Sequence, residues 1–331
     1  MMVMREYFRS SMSMGETNSE HVYRLAFWHR LWTNWIEIRK KLRIKNVNDF
    51  IRRLESGSFN LNLIESLIKP TEDDITFIMK LLSQGISIIP ITDDAYPQNL
   101  KSLDDGEIYP PLVIYCKGSL DILKAEKCIA IVGTRFCTNW GREVTRRLVK
   151  AIYDRIHDAI IVTGLARGID TEATKTALDY DLRTIAVLPW LKPIYPPENR
   201  DLAKMIIKKG GVLISERINE PISLSERRRQ LYLRNRIISA LSNVVIVIEA
   251  RLHYIGNGKY SGGAMWQVEY ALKRGKPVFV LEPKYKAFRR GRIWVNYRKA
   301  FEEFVRHGAQ PFKEDQIEKV VGEIVNLMGR Y

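Results

Sequence analysis

Two short glycine-containing motifs in this chain carry residue types that bind phosphate groups. The first, GTRFCTN, begins at Gly133 and follows an apolar run. Glycine leaves the backbone open to close approach, the Thr134 hydroxyl and nearby amides can donate to a phosphate, and Arg135 adds a planar bidentate donor. An ordinary strand-to-helix turn with a surface arginine explains the same residues. Both interpretations stay open for this motif taken alone.

The second motif is TGLARGID, in which two glycines bracket an arginine where a helix is expected to begin. Asp170, at the end of the motif, is expected to cap the amides that follow it. The residues that would contact an anion are Gly164, Ala166, Arg167 and Gly168. A tight turn with Asp170 as a structural cap explains the motif equally well.

An arginine-rich segment lies ahead of another apolar run. It reads RRRQLYLRNR over residues 227–236 and contains five arginines. On one continuous helix Arg227 and Arg234 would share a face, while Arg229 and Arg236 would point about 200° away from it. The segment is therefore expected to bend between loop and helix if all of it serves one site.

The side chains between these arginines widen the possible chemistry. Arginine clusters bind phosphates, and Leu231 and Tyr232 offer surfaces on which bases could pack. The Asn235 side chain could form hydrogen bonds with a base edge, or it could link two backbone segments of the protein. The alternative is a solvated helical face.

The charge of the chain is concentrated in one region. The formal net charge is +15, from 53 Lys and Arg against 38 Asp and Glu. Residues 200–300 hold 22 basic and 7 acidic residues, so the rest of the chain is neutral. A local basic excess is typical of a protein that binds a polyanion, nucleic acid first and an acidic membrane second.

Several common chemistries have no counterpart in the sequence. It contains neither G-x-G-x-x-G nor G-x-x-x-x-G-K-[ST], which argues against nucleotide cofactors bound through those loops. The five histidines and three cysteines lack the spacing of a catalytic triad, a metal site or a disulfide framework. We expect no cofactor, no metal and no catalytic residue. Glu249 could act as a base or anchor Arg234 or Arg236, and we assign it, Glu216 and Asp170 structural roles.

The sequence also bears on the compartment. The first 20 residues are polar and lack the apolar stretch of a signal peptide. Apolar runs such as 244–248 are far shorter than the ~18 residues of a membrane span. Sparse cysteines are typical of a reducing environment. We expect a soluble cytoplasmic protein that does not enter a membrane.

The polar motifs follow apolar runs that alternate with helical segments. Strands are predicted near 129–133, 159–164, 184–189, 212–216, 244–249 and 277–281. Runs this apolar are buried on both faces, as in a mostly parallel sheet covered by helices on both sides. Ligands bind such a sheet beyond the carboxyl ends of its strands, where these motifs lie. The expected class is therefore α/β.

A small helical domain is expected ahead of this sheet. Leu25, Trp28, Leu31, Trp32, Trp35 and Ile38 recur at helical spacing, which predicts one amphipathic helix from residue 21 to about 50 with a core-facing stripe. Short helices follow over 48–54, 61–68 and 72–84. The predicted domains are a tail (1–20), a helical domain (21–85), the α/β domain (86–300) and a tail with one helix (301–331).

The order of motifs resembles that of the DNA-processing protein A family, also called Smf. The shared segments are DDAYPQNLKSL, PPLVIYCKGSL, IAIVGTR, IVTGLARGID, TIAVLP with IYPPENRDL, GGVLISE, LRNRIISALS with VVIVIEA, and SGG with RGKPVFV. They run from about residue 86 to 281. The resemblance implies an extended Rossmann-like fold, a helical amino-terminal domain and frequent dimerisation.

The resemblance also implies a site and partners. It predicts a positive pocket for single-stranded DNA, with a RecA-type recombinase as protein partner and a homodimer as assembly. The pocket residues would be Arg135 in the GTR turn with Gly133 and Thr134, the TGLARG turn from Gly164 to Gly168, Arg228 ahead of the RNR residues Arg234, Asn235 and Arg236, and Ser261, Gly262 and Gly263. We expect the strand-end arginines to face solvent.

This sequence departs from the family pattern at three positions. Thr174 stands where a histidine is usual, Leu231 replaces an aromatic ahead of RNR, and Trp266 replaces a threonine. The change at Leu231 puts base stacking at that position in doubt.

Two other functions remain as alternatives. Phosphoribohydrolases of the lysine-decarboxylase-like group share this fold and carry P-G-G-x-G-T-x-x-E. Gly262, Gly263 and Glu269 keep part of that spacing, but Met265 and Trp266 replace its Gly and Thr. A nucleotide sensor in a defence system is the other alternative, although no effector domain is apparent. Whether the role lies in transformation, repair or defence stays open.

Overall fold

The computed structural model describes residues 17–58, 61–103, 109–256, 259–290 and 293–329. Their contacts divide the chain into a first unit, 1–117, and a second unit, 118–331. The sequence patterns predicted boundaries at 20, 85 and 300. Most of the predicted tail, 1–20, lies outside the described residues, and the part inside them is helical from Thr17.

The first unit is mainly helical. Its helices are α1 (Thr17–Thr33), α2 (Trp35–Lys41), α3 (Val47–Glu55), α4 (Leu61–Ile68), α5 (Glu72–Ser83) and the short α6 (Gln98–Lys101). Two antiparallel strands, β1 (Ser87–Pro90) and β2 (Val113–Gly118), complete it. Because β1 packs on α1 and α5, this unit extends past residue 85.

The predicted long helix is interrupted at Asn34. The Asn34 side-chain amide donates to the Arg30 carbonyl oxygen at 2.8 Å and shares this acceptor with the Asn34 backbone amide at the end of α1. The prediction of a core-facing stripe is confirmed except at Trp32, which is only half-buried. Trp28 and Trp35 are buried, and both rings pack edge-on against Phe50.

The second unit is built on a parallel sheet. Its strands are β3 (Cys128–Val132), β4 (Ile160–Thr163), β5 (Thr184–Val187), β6 (Val212–Ser215), β7 (Val244–Val247), β8 (His253–Gly256), β9 (Lys259–Ser261), β10 (Val278–Leu281), β11 (Ala287–Arg290), β12 (Ile293–Asn296) and β13 (Gln310–Phe312). Seven of them lie side by side in the order β6-β5-β4-β3-β7-β10-β13, and every neighbouring pair is parallel. The pairs β8–β9 and β11–β12 form small antiparallel hairpins.

Helices cover both faces of this sheet. They are α7 (Asn139–Arg155), α8 (Ile169–Asp179), α9 (Arg200–Lys208), α10 (Leu224–Leu241), α11 (Gly263–Leu272), α12 (Tyr297–Arg306) and α13 (Ile317–Met328). Alternate strand residues such as Ile131 and Ile246 pack with α7, α8 and α13, while α10 and α11 pack on β3 to β5 and on β7 and β10. The predicted α/β, Rossmann-like class is confirmed.

The strand order places a crevice at the centre of the sheet. From β3 the chain moves outward through β4, β5 and β6, then returns to β7 on the other side of β3. In a parallel sheet, a reversal of this kind leaves room for a ligand at the carboxyl ends of the central strands. The turns that follow β3, β4 and β7 therefore meet at one place.

The carboxyl-terminal helix α13 belongs to the core of the second unit. Val321 and Ile324 are fully buried and pack with Leu148 and Ile152 of α7. Across the described ranges, no helix has both the length and the apolar character needed to cross a bilayer.

Candidate functional site

A cleft of about 350 Å³ opens where the turns after β3, β4 and β7 meet. It brings together these predicted residues: Gly133, Thr134, Arg135, Ala166, Asp170, Arg228, Arg234, Asn235, Gly262 and Gly263. Gly164 and Arg167 line a smaller recess beside it, which shares Arg135 and Leu231 with the cleft. Gly168, Glu216, Arg236 and Glu249 line neither space, and the side chain of Ser261 falls outside the described part.

The turn after β3 presents Arg135 to the cleft. The Thr134 amide donates to the Glu249 carbonyl oxygen at 2.6 Å, and the Thr134 hydroxyl oxygen accepts from the Phe136 amide at 3.1 Å. A Cβ on Gly133 would lie 2.7 Å from that carbonyl, so only glycine fits here. These contacts fix the turn and leave Arg135 exposed.

In the turn after β4, backbone amides donate hydrogen bonds to a side chain of the same motif. Asp170 Oδ2 accepts from the amides of Gly164 at 3.2 Å and Ala166 at 3.3 Å, which precede it in the chain. The prediction that Asp170 caps the amides that follow was therefore wrong. Burial raises the pKa of Asp170. Arg167 is exposed and pairs with Glu198 at 2.5 Å.

Gly168 couples this turn to the one after β3. Its φ is +80°, and a Cβ would lie 2.2 Å from the Thr134 carbonyl oxygen. We expect Gly168→Ala to lower the free energy of unfolding by about 2 to 4 kcal/mol, because backbone strain and a clash with fixed backbone add together. Urea denaturation measures the change.

Gly275→Ala is the matched control for this substitution. Gly275 also has a positive φ, +66°, but nothing lies within 4 Å of its Cβ position. Its replacement should cost only about 1 kcal/mol, from backbone conformation alone. Equal losses at the two glycines would contradict the steric coupling between the turns.

Arg234 forms the floor of the cleft. Its Nη1 donates to the carbonyl oxygens of Gly164 and of Val187, the latter at 2.7 Å, so one guanidinium joins the ends of β4 and β5. The side chain is buried, and desolvation lowers the pKa of Arg234 to about 10. Since this pKa is still well above 7, Arg234 is charged at neutral pH. The expectation that Arg234 faces solvent was wrong, although its charge does line the cleft.

Arg236 points away from the cleft. Its two terminal nitrogens donate to the two carboxylate oxygens of Glu216, each at 2.7 Å, and both side chains are buried. The structural role predicted for Glu216 fits this contact. The expected solvent-facing position of Arg236 was wrong, because a buried bidentate ion pair occupies its guanidinium.

The arginine-rich segment does not bend. Residues 224–241 form the single helix α10, so its arginines project in different directions. Arg227 pairs with Glu220 at 3.3 Å, and Arg229 pairs with Glu226 at 3.3 Å. Arg228 is exposed at the cleft. One helix thus contributes Arg228 and Arg234 to the site, and directs its other arginines to carboxylates.

Glu249 has a partner other than the predicted arginines. Its carboxylate accepts from the Thr138 amide at 2.8 Å and from the Thr138 hydroxyl at 2.7 Å. Thr138 in turn caps α7 by accepting from the Gly141 amide at 2.9 Å. The suggested anchoring of Arg234 or Arg236 was therefore wrong, and burial raises the pKa of Glu249.

The amino terminus of α11 forms the opposite wall. Its N-cap is Gly262, so no side chain caps the first amides of the helix, and Gly262 and Gly263 line the cleft. Exposed amides at a helix start favour an anion. The Asn235 side-chain amide donates to the Gly263 carbonyl oxygen at 3.2 Å. Of the two roles that the sequence left open for Asn235, a base contact or a link to the backbone, this contact is the second.

Arg251 is a cleft residue that the motifs do not identify. It follows β7 and lies over the Phe136 ring, with 5.9 Å from its guanidinium carbon to the ring centroid. The sequence signal was its position just after a buried strand. Glu269, which a hydrolase would need here, does not line the cleft.

The cleft carries uncompensated positive charge. Among the described residues, no carboxylate lies within ion-pair distance of Arg135, Arg228 or Arg251. Asp170 contributes one carboxylate to the lining, where it accepts from backbone amides and interacts electrostatically with Arg234 and Arg135, so the arginines of the cleft remain in excess. Unpaired guanidinium groups beside free helix amides bind phosphate well.

The described residues offer no cluster that could hold a metal ion. Cys116, Cys128 and Cys137 are buried free thiols whose pKa values burial raises.

The fold and the site together define a Rossmann-like protein with a cationic cleft at the reversal of its strand order. The profile of the family described as DNA recombination-mediator protein A matches residues 87–323. The match covers most of the chain, which belongs to that family.

Proteins of the same family in several bacteria are similar to this chain. DNA processing protein DprA of Bacillus subtilis is 37% identical over 199 residues, which are 60% of this chain and 61% of that protein. Protein Smf of Synechocystis is 32% identical over 237 residues, which are 69% of this chain and 54% of that protein. The chain thus spans between 54% and 61% of the length of these relatives.

Two solved structures share the fold. The X-ray structure of DprA from Streptococcus pneumoniae superimposes with a TM-score of 0.59 at 24% identity, covering 92% of this chain and 97% of that one. DNA processing protein A from Helicobacter pylori, described for its single-stranded DNA binding mode, superimposes with a TM-score of 0.54 at 27% identity. That match covers 73% of this chain and 96% of the other.

Proposed function

We propose that the cleft binds the phosphate backbone of single-stranded DNA and that the chain acts as a recombination mediator without catalysing a reaction. The observation that carries this proposal is the set of three cleft arginines, Arg135, Arg228 and Arg251, that have no carboxylate partner among the described residues. Nearby arginines of α10 are neutralised by Glu220 and Glu226. The site thus concentrates charge where a polyanion can reach it.

The shape of the cleft favours a single strand over a duplex. Its volume of about 350 Å³ is near the lower end of the range for small-ligand sites. Such a space admits a nucleotide and excludes a double helix. The carboxyl-terminal half of α10 is buried against the sheet, so it cannot enter a groove as a recognition helix.

The cleft also favours weak sequence preference. Asn235 is the side chain best suited to read a base edge, but its amide nitrogen donates to Gly263 and its oxygen accepts from Arg234 Nε at 3.0 Å. The remaining contacts are guanidinium groups and backbone amides, which bind phosphates of any sequence.

The lining argues against a hydrolase. Hydrolysis of an N-glycosidic bond would need a positioned carboxylate in the cleft, and Glu269 is not among the lining residues. Asp170 is present, but its Oδ2 already accepts from two amides. We therefore propose a binding function, and the protein should release no base from nucleoside monophosphates.

Membership of the family extends the proposal to partners. We propose that the bound strand is passed to a RecA-type recombinase, that the chain works as a homodimer in the cytoplasm, and that it serves DNA uptake or recombination, such as natural transformation. Light scattering tests the dimer, and recombinase filament formation on coated single strands tests the transfer.

Affinity for single-stranded DNA should fall steeply with salt. Three phosphate contacts predict a slope of about −2 in log K against log salt, which is about 20-fold between roughly 50 and 200 mM salt. Fluorescence anisotropy with a labelled oligonucleotide and its blunt duplex measures both affinities. A flat salt response, or equal affinity for the duplex, would refute the proposed function.

A further inference from the structure

Two exposed aromatic rings lie beside the cationic cleft. Tyr232 on α10 is 42% exposed and Trp266 on the first turn of α11 is 36% exposed. Their ring centroids are 6.2 Å apart, and Trp266 also contacts Tyr270 at 5.6 Å. At these exposures, part of each side chain's surface is accessible to a ligand.

The core does not require Trp266 at this position. The inner side of α11 is filled by Met265, Val268 and Ala271, which are buried. Trp266 lies between Met265 and Gln267 in sequence but on the outer side of the helix. Its indole therefore adds an accessible surface beside the cleft rather than packing in the interior.

The position of Tyr232 connects this surface to the phosphate site. Tyr232 lines the cleft together with Arg228 and Arg251. A nucleotide whose phosphate contacts an arginine extends its base a few ångströms to one side. An aromatic surface beside a line of cations matches a strand that carries phosphates on one edge and bases on the other.

We infer that Tyr232 and Trp266 form a stacking platform for a base of the single-stranded DNA bound in the cleft. This inference rests on the proposed function and adds where the bases lie. The platform would supply the base contact that Leu231, an aliphatic residue, cannot make by stacking. It would strengthen binding with little dependence on sequence, because every base has a π face.

The test compares two probes on the same variants. One is a labelled thymidine oligonucleotide, and the other is an abasic oligomer of equal length with the same phosphates. The double variant Tyr232→Ala, Trp266→Ala should bind the thymidine probe about 5- to 100-fold more weakly than the unchanged protein. Its affinity for the abasic probe and its salt slope should stay the same.

Conservative variants and a matched control separate stacking from folding. Tyr232→Phe and Trp266→Phe should both keep the affinity for the thymidine probe. In Trp266→Phe, DNA binding should quench less of the protein's tryptophan fluorescence than in the unchanged protein. Tyr285→Ala removes a ring of equal exposure, 42%, that contacts Trp140 and does not line the cleft. It should leave both affinities unchanged.

Three outcomes would overturn the inference. They are equal affinity of the unchanged protein for the two probes, equal weakening of both probes by the double alanine variant, and no weakening of either. If, in any of these cases, Arg135→Ala still weakens binding, the proposed function stands without the platform. If the unchanged protein binds neither probe, the proposed function fails as well.

Discussion

The double variant Arg135→Ala, Arg228→Ala is expected to bind single-stranded DNA about 100-fold more weakly at low salt. Each arginine is exposed at the cleft and forms no ion pair with a carboxylate among the described residues, so each is available to a phosphate. A charge-assisted hydrogen bond of this kind contributes about 10-fold in affinity. The two arginines are expected to contact different phosphates of the strand, so their effects should add.

The salt dependence gives a second measure of the same variant. Loss of two phosphate contacts should reduce the slope of log K against log salt by about 1.4 for a single strand. Fluorescence anisotropy over a range of salt concentrations measures affinity and slope together. Since both side chains are on the surface, the free energy of unfolding should change little.

A variant with the same change in charge provides the control. Arg227 and Arg229 flank Arg228 in sequence, but they pair with Glu220 and Glu226. Arg227→Ala, Arg229→Ala should weaken binding far less, and so should Lys313→Ala, Lys319→Ala in the carboxyl-terminal region. Equal losses in all three double variants would mean that overall charge, and not the cleft, attracts the DNA.

Arg236→Ala is expected to lower the free energy of unfolding by about 3 to 5 kcal/mol. The substitution leaves the Glu216 carboxylate buried and removes two hydrogen bonds of 2.7 Å to it. An uncompensated buried charge is far more costly than the pair itself is stabilising. Urea denaturation at neutral pH measures the loss.

A double variant identifies the cause of this loss. Glu216→Gln with Arg236→Met removes both charges, and the protein should recover much of the stability lost in Arg236→Ala. Folded Arg236→Ala protein should still bind single-stranded DNA. If Arg236→Ala were as stable as the unchanged protein but failed to bind DNA, Arg236 would belong to the site and the structural role would be wrong.

The sequence predicted the sheet well because the signal for it is local. Apolar runs such as 129–133 and 244–249 fall within one or two residues of β3 (Cys128–Val132) and β7 (Val244–Val247). Burial on both faces favours a nearly continuous run of apolar residues, which neighbouring residues reveal by themselves. The interruption at Asn34 was missed, since a single polar residue does not disturb the helical period of the apolar stripe.

The site was predicted in part for the same reason. Residues that follow the strands of a parallel sheet lie at its carboxyl edge, so the grouping of Arg135, after β3, and Ala166, after β4, near one cleft followed from their positions along the chain. Helical geometry also required Arg234 and Arg236 to point in different directions.

Only the tertiary structure decided which arginine meets which partner. Arg234 reaches the Gly164 carbonyl oxygen across 70 residues of sequence, and Arg236 reaches Glu216 across 20. Arg228 forms no ion pair among the described residues, because Glu220 and Glu226 pair with Arg227 and Arg229 instead. The sequence by itself determined the sheet, its edge and the residue types gathered there, since these depend on local periodicity. Which arginines are bound inside the protein and which remain available to phosphate depends on contacts between segments remote in sequence. Those contacts exist only once the chain has folded.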